Sequence, residues 1–170
     1  MGTCTPSLGG ITMQKSLYLD ADKCTGCKQC ELACSFEHEG SFNPVKSSIQ
    51  IFTFHDEGRF VPYTCTQCDD AWCMTACPVD AITINTATGA KEVNAATCVG
   101  CKVCTIACPF GTVNYNTDTG KVTKCDLCSG DPKCVTACPT GAITYVEADT
   151  TGFSRMKEWA AKTDNAQSAA

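Results

Sequence analysis

Apolar positions along this chain come in short β-forming runs, separated by polar turns and cysteine-bearing loops. The runs IQIFTF (49–54) and RFVPY (59–63), split by HDEG, predict a hairpin. CPVDAITIN (77–85) and CPTGAITYV (138–146) are near-copies, and CPFGTVNYN (108–116) is a looser one. After the first and third of these comes a Thr-x-Thr-Gly turn and a second β-rich run, in TATGAKEV (86–93) and TDTGKVT (117–123), which predicts two more hairpins. SLYLD (16–20) and AITYV (142–146) predict two strands that pair only if the ends of the chain meet. The repeating unit is therefore strand, cysteine loop, short helix, strand. One stretch has helical spacing instead. In 150–162, Phe153, Met156, Trp159 and Ala160 form an apolar stripe that Thr150 or Thr151 would cap. Such a helix either packs on its own domain or docks to a partner or to another copy.

Composition changes the picture through cysteine. Seventeen of the 170 residues are cysteine, a density that marks a disulfide scaffold in a secreted chain and metal in a reducing one. The N-terminus shows no basic start followed by an apolar stretch, and there is no twin-arginine pair; the only arginines are Arg59 and Arg155. No apolar run approaches the ~20 residues of a membrane helix. A cytoplasmic protein with no membrane anchor of its own is expected. The formal net charge is −5 with cysteines counted as neutral. Four thiolate-bound four-iron cores would bring it to about −13. Such a surface excludes nucleic acid and suits a basic face on a protein partner.

Sixteen cysteines fall into four motifs. CTGCKQCELAC carries Cys24, Cys27, Cys30 and Cys34, and CVGCKVCTIACP carries Cys98, Cys101, Cys104 and Cys108. Both have the C-x2-C-x2-C-x3-C spacing that holds [4Fe–4S] clusters. TCTQCDDAWCMTACP carries Cys65, Cys68, Cys73 and Cys77, and CDLCSGDPKCVTACP carries Cys125, Cys128, Cys134 and Cys138; here the middle gap is stretched to four and five residues. A cubane presents four irons at the corners of a tetrahedron. One compact loop reaches three corners, and the last cysteine, expected on the first helical turn, serves the other cluster of a pair. Gly26 and Gly100 precede the second cysteine, where a cramped or left-handed backbone is needed. Pro78, Pro109 and Pro139 follow the last cysteine and turn the chain toward the next strand. Zinc sites use well-separated C-x2-C pairs and fit four consecutive quartets poorly. Disulfides between cysteines this close would be strained.

Four motifs in this order, with the second and fourth stretched, resemble the four-cluster ferredoxin-like subunits of molybdenum and tungsten enzymes. That family includes the electron-transfer subunits of dimethyl sulfoxide reductase, polysulfide reductase and formate dehydrogenase, and ferredoxin-like partners of hydrogenases and carbon monoxide dehydrogenase. The resemblance covers roughly residues 15–147. It implies an α+β fold of two nested bacterial-ferredoxin-like units, with short β-hairpins, short helices and long cluster-binding loops. An outer unit (15–48 and 117–147) would enclose an inner one (49–116), between a flexible N-terminus (1–14) and a C-terminal helix and flexible tail (148–170). It also implies a pairing. Cluster 1 would be held by Cys24, Cys27, Cys30 and Cys138; cluster 2 by Cys125, Cys128, Cys134 and Cys34; cluster 3 by Cys65, Cys68, Cys73 and Cys108; and cluster 4 by Cys98, Cys101, Cys104 and Cys77. Iron is the only metal implied.

The segment ELACSFEHEGSFNP (31–44) and the compact length look most like the small iron–sulfur subunit of tungsten-containing aldehyde oxidoreductases. The implied function is a non-catalytic subunit that relays single electrons between a large catalytic subunit and another redox partner, such as a flavin- or nucleotide-binding subunit. Alternatives are a ferredoxin-like partner of a hydrogenase, formate or carbon monoxide dehydrogenase, a free polyferredoxin, a redox sensor, and a redox assembly unit that stacks on itself. No nucleotide loop and no base–nucleophile pair is visible. Trp72 is expected to pack within the domain or to shield a cluster. His38 and His55 are not expected as ligands, since cysteines supply all sixteen corners. Cys4 is expected to be a spare thiol.

Overall fold

The computed structural model describes residues 14–148 together with Gly152 and Met156. Cys4 lies outside the described residues, as do Phe153 and Trp159 of the C-terminal stripe; Met156 is exposed.

Among the described residues, eight short strands pair into four antiparallel two-stranded sheets. The strands β1 (Lys15–Leu19) and β8 (Ile143–Glu147) join the two ends of the described chain, with Leu19 opposite Ile143 and Lys15 opposite Glu147. The pairing is extended by Asp20 N–H to the Ala142 carbonyl at one end and by Ala148 N–H to the Gln14 carbonyl at the other, each at 2.8 Å. Strands β2 (Gln50–Phe54) and β3 (Arg59–Tyr63) form the hairpin expected around HDEG, closed by Gly58 at φ +60°. The hairpins β4 (Ile82–Ile84) with β5 (Lys91–Val93), and β6 (Asn114–Asn116) with β7 (Lys121–Thr123), are built alike. In each, an asparagine side chain accepts an N–H two residues on, Asn85 from Ala87 and Asn116 from Asp118, both at 2.9 Å. Each turn then ends on a left-handed glycine, Gly89 or Gly120.

The α-helices with bounds within the described residues are α1 (Gln29–Glu39), α2 (Trp72–Thr75), α3 (Val103–Ala107) and α4 (Lys133–Thr136). They correct one expectation. The third cysteine of each motif lies in the helix, whereas Cys77, Cys108 and Cys138 lie past its end. The reason is the proline that follows each of them, since the residue before proline is driven out of the helical region. Cys108 is extended, at φ −75° and ψ 112°. The first motif has no such proline, so α1 carries Cys34 inside it and runs on to a left-handed Gly40.

Little of the interior is ordinary core. Eight of the nineteen buried apolar residues among those described are cysteines, so the fold closes around sulfur. The result is an α+β molecule of ferredoxin type, with no described helix long and apolar enough to cross a membrane.

Candidate metal centres

All four cysteine loops share one backbone device. The residue just before the second cysteine is left-handed: Gly26 (φ +70°), Gln67 (+52°), Gly100 (+69°) and Leu127 (+60°). This turns the loop back on itself, so that its cysteines face one point. Glycine takes the conformation without strain. It is needed for space as well: a Cβ on Gly26 would sit 2.4 Å from the Phe60 ring, and one on Gly100 2.2 Å from the Gly120 carbonyl oxygen. Gln67 and Leu127 carry side chains at a cost of roughly 1–2 kcal/mol each. Both side chains are buried, and their packing holds the turn.

The loops bring cysteines from distant parts of the chain to common walls. Cys24, Cys27 and Cys30 line one cavity with Cys138. Cys125, Cys128 and Cys134 line another with Cys34. Cys65, Cys68, Cys73 and Cys108 line a third, of about 250 Å³. Cys77, Cys98 and Cys104 meet in one apolar cluster. There, burial first and then the charges of Cys101 and Cys77 raise the Cys104 thiol. These four groups are called sites 1, 2, 3 and 4, in the numbering of the clusters above.

The donor chemistry fits an iron–sulfur group. The sixteen described cysteines are all free of disulfides. Sulfur also receives N–H groups from the surrounding loops, as from Ser48 to Cys34 (3.4 Å) and from Ala81 to Cys77 (3.3 Å). Burial opposes ionisation of Cys108, but the Thr112 hydroxyl and the N–H groups of Thr112, Phe110 and Gly111 outweigh it and hold the thiol below its usual value. Cys138 is held low in the same way, against burial, by the Thr140 hydroxyl and the N–H groups of Ile143, Thr140 and Ala142. Deeper ligands behave differently. Burial pushes Cys30 and Cys125 up to about 12 and Cys128 up to about 11, and it raises Cys134 as well. These thiols ionise only against a cation, so metal binding there must release protons.

The sites are packed in a fixed order. Cysteines of sites 1 and 2 share one buried cluster, which contains Cys30, Cys34 and Cys134 with Cys24 and Cys138 against it. Cys125 of site 2 and Cys65 of site 3 share a second. Cys73 of site 3 meets Cys98 and Cys104 of site 4 in a third. The succession is 1–2–3–4. The two exposed cysteines among those described, Cys27 and Cys101, belong to the end sites.

Two further residues lie beside the cysteine groups. Trp72 does not pack inside; it is 59% exposed, on the rim of the site 3 cavity. His38 points its Nε2 at Cys128 Sγ (3.7 Å) and at Asp126 (3.5 Å). The available signal was its place four residues after Cys34, on the same face of α1. His55 lies in the turn between β2 and β3.

A family profile described as a 4Fe-4S dicluster domain matches residues 57–148, and one described as a 4Fe-4S binding domain matches residues 17–37. The chain is 43% identical over 114 residues to the polyferredoxin-like subunit of an aliphatic sulfonate oxidoreductase from Pyrococcus furiosus; the match covers 67% of this chain and 65% of that one. It is 37% identical over 123 residues to a putative electron transport protein of Escherichia coli, covering 68% of this chain and 77% of the relative. It is 33% identical over 132 residues to a subunit of the anaerobic dimethyl sulfoxide reductase of the same organism, covering 69% and 63%. Among solved structures, the BamBC complex of benzoyl-coenzyme A reductase aligns over 78% of this chain and 76% of that one at 27% identity, with a TM-score of 0.47. The chain thus spans just under two thirds of its Pyrococcus relative.

Proposed function

The chain belongs to the 4Fe-4S dicluster family, and on that premise we propose that it is an electron-transfer subunit holding four [4Fe–4S] clusters in a line, without a catalytic centre of its own. The observation that carries this reading is the position of the two exposed ligands. Cys27 and Cys101 lie at opposite ends of the 1–2–3–4 succession, so electrons can enter at one and leave at the other. The clusters supply one-electron redox chemistry. The protein supplies the sixteen cysteine ligands in the four sets named above, the N–H groups directed at sulfur, and the burial of the intermediate sites. The same reading treats 49–116 as an inner unit between the two parts of an outer one, 15–48 and 117–147.

The proposed partners are a large catalytic oxidoreductase subunit at one end and a second redox protein at the other. The two ends differ. Around Cys101 the exposed residues Val99, Val103 and Ile106 are apolar, with one lysine, Lys102, among them, whereas Thr25, Lys28 and Gln29 surround Cys27. An apolar end suits a permanent interface and a polar one suits transient exchange, which favours the catalytic subunit at Cys101. That subunit is read as a molybdenum or tungsten enzyme, with the tungsten aldehyde oxidoreductase type first. The support is the 31–44 segment and the kinship with subunits named for oxidoreductases. Anaerobic affinity purification from the native cell tests this. The expected result is a large subunit carrying tungsten. Molybdenum would favour the dimethyl sulfoxide reductase type, and purification as a lone polyferredoxin would contradict the subunit reading.

A further inference from the structure

Two lysines stand in an unusual place. Lys91 and Lys124 are 3% and 7% exposed, and both line the site 3 cavity. The Lys124 ammonium donates to the Cys125 carbonyl at 2.9 Å and to the Lys91 carbonyl, and it lies 3.5 Å from Gln67 Oε1. The Lys91 ammonium donates to Gln14 Oε1 at 3.1 Å. All these acceptors are neutral. Asp70 lines the cavity and is exposed, and the exposed Asp69 acts on Lys91 from outside it. A buried ammonium without an acid is costly unless some other negative charge answers it. Hydrogen bonds to carbonyls satisfy its protons and leave its charge unanswered.

The site 1 and site 2 cavities have no buried lysine on their walls, although the Lys124 charge also reaches Cys125 of site 2. The site 1 cavity carries Lys28, which is exposed, and the site 2 cavity carries His38 and Asp126. Site 3 is thus the cavity among these three with buried lysines on its wall, and of the two it is Lys124 whose ammonium bonds only neutral groups. Four thiolates around a core of about +2 give the oxidised group a charge of about −2, which becomes about −3 when one electron is added. A fixed positive charge at short range in a poorly solvated site favours the more negative state.

We propose that Lys124, with Lys91 beside it, raises the reduction potential of the cluster held by Cys65, Cys68, Cys73 and Cys108, making site 3 the point in the line where a transferred electron rests. This builds on the four-cluster reading. In the step concerned, the site gains one electron from a low-potential one-electron donor, and no bond is made or broken.

The test is an anaerobic redox titration of iron-replete protein with dithionite and mediators, followed by low-temperature EPR. In Lys124→Met, one reduction step becomes at least tenfold less favourable, a shift of about 59 mV or more to lower potential. Lys124→Arg, which keeps the charge, stays within about threefold of the parent. The affected step is identified with Cys68→Ser, which should alter the EPR signal of that same step. If Lys124→Met fails to hold iron, Lys91→Met is judged by the same direction of shift. All steps unchanged in an iron-replete methionine variant would overturn the proposal, as would a shift confined to a step that Cys68→Ser leaves untouched. A parent protein that binds no iron would overturn the four-cluster reading itself, and the two failures are told apart by the iron content.

Discussion

Gln67 donates through its side-chain nitrogen to the carbonyl of Cys125 at 2.7 Å, across 58 positions of sequence. Its oxygen accepts the N–H of Lys91 at 2.9 Å. A residue of the second cysteine loop thereby ties together the fourth loop and strand β5, at the junction of sites 2 and 3. The same residue holds the left-handed turn before Cys68. Gln67→Ala strands the buried N–H of Lys91, at about 1–3 kcal/mol, and leaves the Cys125 carbonyl to the Lys124 ammonium. The expected fall in melting temperature of the iron-loaded protein is roughly 2–12 °C. Gln67→Gly relieves the turn but loses both bonds, so it should be destabilised nearly as much. Full stability in the glycine variant would show that the turn matters and the bonds do not.

The two loop glycines should differ in tolerance. At Gly26 an added methyl meets the Phe60 ring, which is a side chain and can swing. At Gly100 it meets the backbone oxygen of Gly120 at 2.2 Å, which can move only with the β6–β7 hairpin. Gly100→Ala is therefore expected to lose most of one cluster, about four of about sixteen irons, while Gly26→Ala retains more. Iron analysis of the two variants after anaerobic purification decides this.

The exposed apolar group at the Cys101 end gives a third expectation. Ile106 is 85% exposed and Val99 62% exposed. Val99→Asp combined with Ile106→Asp should weaken assembly with the catalytic subunit at least about tenfold, because a charge in a desolvated interface is costly. Iron content and cluster spectrum should not change. Normal assembly with slowed reduction by the second partner would place the catalytic subunit at the Cys27 end instead.

The long-range closure of site 1 can be tested by Cys138→Ala. The cluster served by Cys24, Cys27 and Cys30 should be damaged, although Cys138 is the nearest in sequence to Cys134 of site 2. A spectrum in which site 2 alone is damaged would overturn that assignment.

Much of the fold is legible in the sequence because turn chemistry is local. The runs 49–54 and 59–63, split by HDEG, and the Thr-x-Thr-Gly turns mark hairpins through residues a few positions apart, and strand ends agree within about a residue. Gly26 and Gly100 signal left-handed turns. Gln67 and Leu127 do not, because their conformation is enforced by burial and by partners elsewhere in the fold. The helix ends differ from expectation for a local reason present in the chain itself: each C-P pair keeps the helix from including its cysteine. The buried lysines are invisible in the sequence, since only tertiary packing brings Lys91 and Lys124 to the same wall. A count of cluster corners argues against His38 as a ligand, but it says nothing about a neighbour of Cys128.

The proposed arrangement is four clusters in line, each held by one of the four cysteine sets. A crystal structure of anaerobically prepared protein, with an anomalous map at the iron edge, tests it most directly. Four compact iron peaks are expected in the order of sites 1, 2, 3 and 4, with Cys138 on the peak shared by Cys24, Cys27 and Cys30, and with Cys27 and Cys101 at the two ends. Fewer than four peaks, a signal from zinc in place of iron, or Cys138 and Cys125 on a single peak would contradict it.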